Sequence, residues 1–324
     1  LHLRQLEEDI SRVALSLDQL GQIYQDWGKK DWEKYEEAIA HYEQSQELYQ
    51  QLGKEKDFAN QWYNLADCYR QWGKYEQAID ATQKCLALRQ QLDDRPGIAS
   101  AYFQLGRIYQ TWGKYEEALT HHQQSQELYL QLDKQTNVAN QWNWMADCYR
   151  RWGKYEESLA AQKQNLALCQ QLDNPPNIAN AYSQLGGMYQ DWKKYEEAIA
   201  HHEQSREIYQ QLGQTDSLAR QLRRIANSQR QLARETADRT AAISLLTEAE
   251  QHLEQAIQLN VDREYRENLA YDYIALSLVC SDFLRHIPAD DAAQLARIAQ
   301  FENTYPMGFS HFTALGKTVN LAEE

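Results

Sequence analysis

Four tryptophans fall exactly forty residues apart, and that interval governs what this chain can become. Trp72, Trp112, Trp152 and Trp192 share the interval with Tyr35, Tyr75, Tyr115, Tyr155 and Tyr195. The phrase W-G-K-Y-E-E/Q occupies 72–77, 112–117 and 152–157, and becomes WKKYEE at 192–197. The first copy is interrupted, reading WGKKDWEKYEE at 27–37. A second interval of eighty lies over the first: HYEQSQELYQQL (41–52) returns as HHQQSQELYLQL (121–132) and HHEQSREIYQQL (201–212). Self-similarity at such a period means one supersecondary unit stacked repeatedly, each copy burying a face that it cannot bury alone.

Each unit reads as two helices. In 98–112 the apolar residues Ile98, Ala101, Tyr102, Leu105, Ile108, Tyr109 and Trp112 step by three and four, placing one stripe along a helix. In 115–132 the stripe is Tyr115, Ala118, Leu119, Leu128, Tyr129 and Leu132. Gly113 supplies the turn between them, and Asp93-Asp94-Arg95-Pro96-Gly97 stops one unit and starts the next. Only 13 glycines and 5 prolines occur in 324 residues, and no run of β-branched residues alternates with period two. The expectation is an all-α fold.

The residues that recur resemble the tetratricopeptide repeat, whose first helix carries a large residue, Leu, a small residue and Tyr, and whose second carries two small residues. Here the set is Tyr102, Leu105, Gly106, Tyr109, Ala118 and Ser125. It returns as Trp62, Leu65, Ala66, Tyr69, Ala78 and Cys85, as Trp142, Met145, Ala146, Tyr149, Ser158 and Asn165, and as Tyr182, Leu185, Gly186, Tyr189, Ala198 and Ser205. The first unit gives Leu17, Leu20, Gly21, Tyr24, Ala38 and Ser45. The period of forty, the missing terminal Pro and the Trp before the turn Gly depart from the usual ~34-residue pattern. They are similar to the variant of kinesin light chains, bacterial peptide-pheromone sensors and bacterial nucleotide-binding signalling proteins. The resemblance implies an α-α superhelix of about six helix pairs over 1–262. The sixth pair is degenerate, with Gln229 in place of Tyr and extra residues between its halves. Capping helices and a tail are expected over 263–324.

In the resembled family the first helix of each pair lines a groove. Carried over, the candidate groove residues are Asn60, Tyr63, Arg70, Phe103, Arg107, Asn140, Asn143, Arg150, Arg151, Asn180, Arg220, Arg223 and Arg230. Asn60, Asn140 and Asn180 form a spaced row: an amide can both donate and accept, so the row suits an extended peptide backbone, or it caps helices. The arginines, with Arg224, Arg234 and Arg239 nearby, suit an acidic segment of a partner, or they pair internally, as Asp67 with Arg70 and Asp147 with Arg151 would at helical spacing.

The rest of the sequence narrows function by exclusion. A net charge of -14 repels nucleic acid and anionic lipid. No apolar run approaches the ~20 residues that a bilayer span requires. Five cysteines without C-x-x-C spacing read as reduced thiols of a cytoplasmic protein. The histidine pairs 121–122 and 201–202 have no partner at metal-ligand spacing, and no catalytic motif or cofactor signature is present. The expected function is a non-enzymatic scaffold that binds a protein or peptide. Two alternatives remain: a ligand-sensing domain of a larger bacterial signalling ATPase or protease, and a self-assembling or engineered repeat protein.

Overall fold

The computed structural model describes residues 2–262 and 266–286. The chain forms α1 (His2–Gly28), α2 (Lys34–Gln51), α3 (Glu55–Gln71), α4 (Tyr75–Gln91), α5 (Arg95–Thr111), α6 (Tyr115–Gln131), α7 (Gln135–Arg151), α8 (Tyr155–Gln171), α9 (Pro175–Asp191), α10 (Tyr195–Gln211), α11 (Thr215–Glu235), α12 (Arg239–Asp262) and α13 (Arg266–His286). Among the described residues there is no strand. Two compact units divide the chain, residues 1–161 and 162–324, with the division inside α8.

The turn within each pair follows from the W-G-K phrase. At the end of α3, Trp72 is the last right-handed residue, Gly73 takes φ +80°, and the amides of Gly73 and Lys74 donate to the carbonyls of Arg70 and Tyr69. These two hydrogen bonds satisfy carbonyls that the helix end would otherwise orphan, and glycine enters the left-handed region without steric cost. The pattern repeats at Gly113 and Gly153, whereas Lys193 occupies the fourth site at φ +59°. Trp72 stacks on Tyr35 of the preceding phrase at 6.0 Å, Trp112 on Tyr75 at 5.5 Å and Trp152 on Tyr115 at 6.3 Å. The lysine two residues on places its ammonium over each indole, at 3.2, 3.5 and 3.4 Å from the ring centroid. The repeated phrase is therefore a stacking column between successive turns.

The eighty-residue interval has a steric cause. Gly106 leaves room for the fully buried His122, and Gly186 for His202. Tyr42 fills the same place against Gly21. In the alternate units Ala66 and Ala146 replace the glycines, while Thr82 and Gln162 replace the rings. A ring beside glycine and a smaller side chain beside alanine fill comparable space where the two helices cross. The small second-helix residues carry hydrogen bonds as well: Ser45, Ser125 and Ser205 each donate to a first-helix carbonyl, of Ala14, Ala99 and Ala179, at 2.8 Å.

In unit 1, α2 sits between α1 and α3. Tyr35, Ala38, Ile39 and Tyr42 share a buried cluster with Leu65, Ala66 and Cys68 of α3. Ala118 and Leu119 of α6 cluster likewise with Met145 and Cys148 of α7. In unit 2 the extra residues of the sixth pair are helical, lengthening α11 and α12 to 21 and 24 residues. Here α13 closes a core of Ala226, Leu246, Ala249, Leu253, Leu276, Val279 and Phe283. The part of the expected capping helices and tail beyond residue 286 lies outside the described residues. All five cysteines are buried and none is in a disulfide.

Candidate functional site

The first helices of unit 1 are joined edge to edge by polar side chains on one face. On α1, Asp18 accepts from the Asn64 amide of α3 at 2.7 Å, and the Gln25 amide donates to Asp67 at 2.9 Å. Asp67 also accepts from Arg70 at 2.7 Å and Gln71 at 2.6 Å on its own helix. Arg107 of α5 stands 3.3 Å from the same carboxylate, and Gln104 donates to it at 3.4 Å. One turn further along α5, Gln110 donates to Asp147 of α7 at 2.6 Å, and Asp147 accepts from Arg150 at 2.6 Å and Arg151 at 2.7 Å. A single helix position, repeated every forty residues as Asp67, Arg107 and Asp147, alternates in charge and knits neighbouring units together. In α9 that position is Gly187.

The electrostatics follow the geometry. Burial alone would raise the Asp67 carboxyl, but Arg70 and Arg107 overcome it and hold the group below the usual carboxylate range. Asp147 is governed the same way, with burial opposed by the hydrogen bonds from Arg150 and Arg151. Burial pushes the Tyr63 phenol up, with Arg107 opposing.

Beside this ladder lies an aromatic group. Phe103 meets Trp144 edge-on at 5.5 Å, and the Arg107 guanidinium lies 5.7 Å from one ring and 5.6 Å from the other. Trp144 and Phe103 are both half-buried. His122 stacks beneath Trp144 at 6.3 Å.

The structure brings Tyr63, Arg70, Phe103, Arg107, Arg150 and Arg151 to this face of unit 1. Asn60 sits near them, accepting from the buried Arg89, which also donates to the Gly97 carbonyl. The capping alternative for the asparagine row is corrected: the N-caps of α3, α7 and α9 are Lys54, Lys134 and Asn174. Asn60, Asn140 and Asn180 stand in the second turn of their helices and are exposed. The side-chain amides of Asn140, Asn143 and Asn180 have no hydrogen-bond partner among the described residues.

Internal pairing holds for the arginines. In unit 2, Arg223 donates to the buried Asp272 of α13 at 2.8 Å, and Arg230 lies 3.7 Å from the buried Asp282. Arg220 pairs with Asp216 on its own helix. Asp282 also faces Arg234 and Arg285. An acidic guest at these arginines would have to displace a carboxylate already held.

Sequence reasoning missed Trp144 and two glutamines of the ladder, Gln25 and Gln104. Positions equivalent to Trp144 hold Asn64, Gln104 and Gln184, so no repetition marked it.

The sequence model of the tetratricopeptide repeat matches residues 33–91, 57–131 and 137–211. The chain belongs to the tetratricopeptide-repeat family. Its solved structural relatives are distant in sequence and share the fold. BtubC from P. vanneervenii matches at 18% identity and TM-score 0.55, over 79% of this chain and 92% of that one. A signal-transduction ATPase with numerous domains from Pyrococcus horikoshii, described as having a tetratricopeptide-repeat sensor, matches at 17% and 0.63. That match covers 90% of this chain and 45% of the ATPase, so this chain spans less than half of that protein's length. A Rap protein complexed with Competence and Sporulation Factor matches at 16% and 0.52, over 81% and 74%. No curated protein sequence matches the chain. No tetratricopeptide helix among the described residues is long and apolar enough to cross a membrane, and no group of three or more His, Cys, Asp or Glu there is placed to hold a metal ion.

Proposed function

We propose that this tetratricopeptide-repeat chain binds a protein or peptide on the first-helix face of unit 1 and performs no catalysis there. The observation that supports the reading is the half-buried pair Phe103 and Trp144, fixed by Arg107, next to the unpartnered amide of Asn143. Rigid aromatic anchors beside an ordered polar rim are the composition of binding hot spots, because little side-chain freedom is lost on association. The ladder helps for the same reason. Its carboxylates and guanidiniums are already mutually neutralised, so the wall is shaped before a guest arrives. The guest that suits it is a segment offering an apolar side chain to Trp144 and backbone polar groups to Asn143 and Asn140. An acidic segment near unit 2 is the less favoured guest, since Asp272 and Asp282 already hold Arg223 and Arg230. The five buried thiols fit a reducing cytoplasm.

Selection of a displayed random-peptide library against the whole chain, in parallel with Trp144→Ala, tests the reading. Peptides that bind the wild type and lose about tenfold or more in affinity for the variant support it. Peptides bound equally by both, or no enrichment, would overturn it.

The second reading is a sensor module within a longer signalling protein. Its support is the likeness to the P. horikoshii ATPase with its tetratricopeptide-repeat sensor. The same selected peptides would then alter the activity of the longer protein rather than simply tether to it.

A further inference from the structure

One buried charge in unit 1 has no counter-charge. Arg89 of α4 is 7% exposed and makes no ion pair among the described residues. Its guanidinium donates to two neutral oxygens, the Gly97 carbonyl at 2.9 Å and the Asn60 Oδ1 at 2.9 Å, and its Nε is buried without a partner. Asp94, close by, caps α5 by accepting from the Gly97 amide at 3.2 Å and forms no ion pair with it. The candidate groove arginines, by contrast, all face a carboxylate. A guanidinium taken out of water without an opposite charge destabilises a fold.

The other copies of the repeat show that packing does not require this charge. Positions equivalent to Arg89 hold Tyr49, Tyr129, Cys169 and Tyr209, all buried. In the next copy Tyr129 and Ser100 pair hydroxyl to hydroxyl at 3.2 Å, in the places of Arg89 and Asn60. Gly97 is matched to the arginine: a Cβ there would stand 2.7 Å from the Arg89 Cδ. Its equivalents are Asp57, Asn137, Asn177 and Ser217, so glycine stands only in the copy that carries arginine. The chain makes room for a charge that its fold does not need.

We propose that Arg89 and Asn60 form a carboxylate-binding site for the guest of the first-helix face, filled by an acidic side chain or a C-terminal carboxylate. The inference rests on that face being the binding face. Asn60 is exposed, so its Oδ1 marks the approach by which a guest reaches the guanidinium. A carboxylate oxygen displaces that Oδ1, and the freed Asn60 amide donates to the second carboxylate oxygen. A neutral contact becomes a charge-assisted one in a site already largely out of water, where it is strongest. A single guanidinium with one exposed approach matches one negative charge. Tyr63, whose ring centre is 5.8 Å from the Arg89 guanidinium carbon, also interacts with Arg107. Arg107 in turn contacts Phe103 and Trp144, so the carboxylate site adjoins the aromatic pair and one peptide reaches both.

The test selects two synthetic random-peptide libraries of equal length against the whole chain. One includes Asp and Glu and ends in a free carboxylate; the other lacks both residues and is amidated. The first should yield peptides that bind about tenfold or more tightly than those of the second. Converting each acidic side chain to its amide, and separately amidating the C-terminus, then identifies the carboxylate by a loss of similar size. The double change Asn60→Ser, Arg89→Tyr copies the Ser100 and Tyr129 pair, so it should keep the wild-type helical circular dichroism. On this variant the carboxylate peptide and its amide form should bind alike, and as well as the amide form binds the wild type. Any other pattern in the variant overturns the proposal, as does a missing carboxylate effect in the wild type. If amidated peptides bind as tightly as acidic ones and lose affinity with Trp144→Ala, the binding face stands and the carboxylate site falls. If neither library enriches, both fall.

Discussion

His122 lies against Gly106 so closely that a methyl group added to the glycine would stand 2.7 Å from the ring's Cε1. The ring cannot retreat, since its Nδ1 is held 3.0 Å from the Gln141 Oε1. Gly106→Ala should therefore destabilise unit 1 by about 1–3 kcal/mol through overpacking. Combining it with His122→Thr, which reproduces the Ala66 and Thr82 pair of the neighbouring repeat, should recover much of that loss. Urea denaturation midpoints for the three proteins would check the coupling. If the double variant is no better than Gly106→Ala, the steric account of the eighty-residue interval is wrong.

The same histidines make stability depend on pH. Burial lowers His122 to about 4 and His202 to about 3, from an unfolded value near 6.5. Both are neutral in the folded chain and take up protons on unfolding below 6.5. Their depressed values mean that stability is full above pH 6.5 and falls as pH drops towards 4 and 3. For His122 alone the loss is on the order of 3 kcal/mol across that window. Thermal melts from pH 7 to 4.5 should show the decline, and His122→Gln should flatten it.

Helix pairing was legible because stripes, turns and the W-G-K-Y column all repeat, and repetition turns weak local signals into one strong pattern. The stacking of Trp72 on Tyr35 is an example: either residue alone reads as a generic apolar position. What escaped the sequence was unrepeated. Trp144 sits where its counterparts are Asn64 and two glutamines. The carboxylates Asp272 and Asp282 lie about fifty residues beyond their arginines, in a helix outside the period. Arg107 with Asp67 was hidden differently, since the pair joins successive units rather than neighbouring turns of one helix.

Lys193 stands where the preceding three units place Gly73, Gly113 and Gly153, and it adopts φ +59°. A side chain in the left-handed region costs on the order of 1 kcal/mol. Lys193→Gly should raise stability by about 0.5–1 kcal/mol, seen as slower amide exchange at the end of α9 and the start of α10. Equal exchange in both proteins would show that the strain is absorbed elsewhere.

Two arginines three positions apart on α11 should behave in opposite ways. Arg220 forms its pair with Asp216 at the surface, both side chains being substantially exposed, so Arg220→Ala should change stability by less than about 1 kcal/mol. Arg223 meets Asp272, which is fully buried and also accepts from Asn260. Removing that guanidinium leaves a carboxylate in apolar surroundings, a loss of about 3–5 kcal/mol at neutral pH. Burial already raises the Asp272 carboxyl against the opposing pull of Arg223. In the variant the value rises further, so Asp272 escapes its penalty by binding a proton. A raised folded value contributes stability that is greatest at low pH and disappears as pH climbs through it. The deficit of Arg223→Ala should accordingly shrink as pH falls from 7 to 5, while that of Arg220→Ala stays small throughout. Amide exchange along α13, followed at both pH values, measures the difference directly. A pH-independent deficit would mean that Arg223 acts through packing rather than through the charge of Asp272.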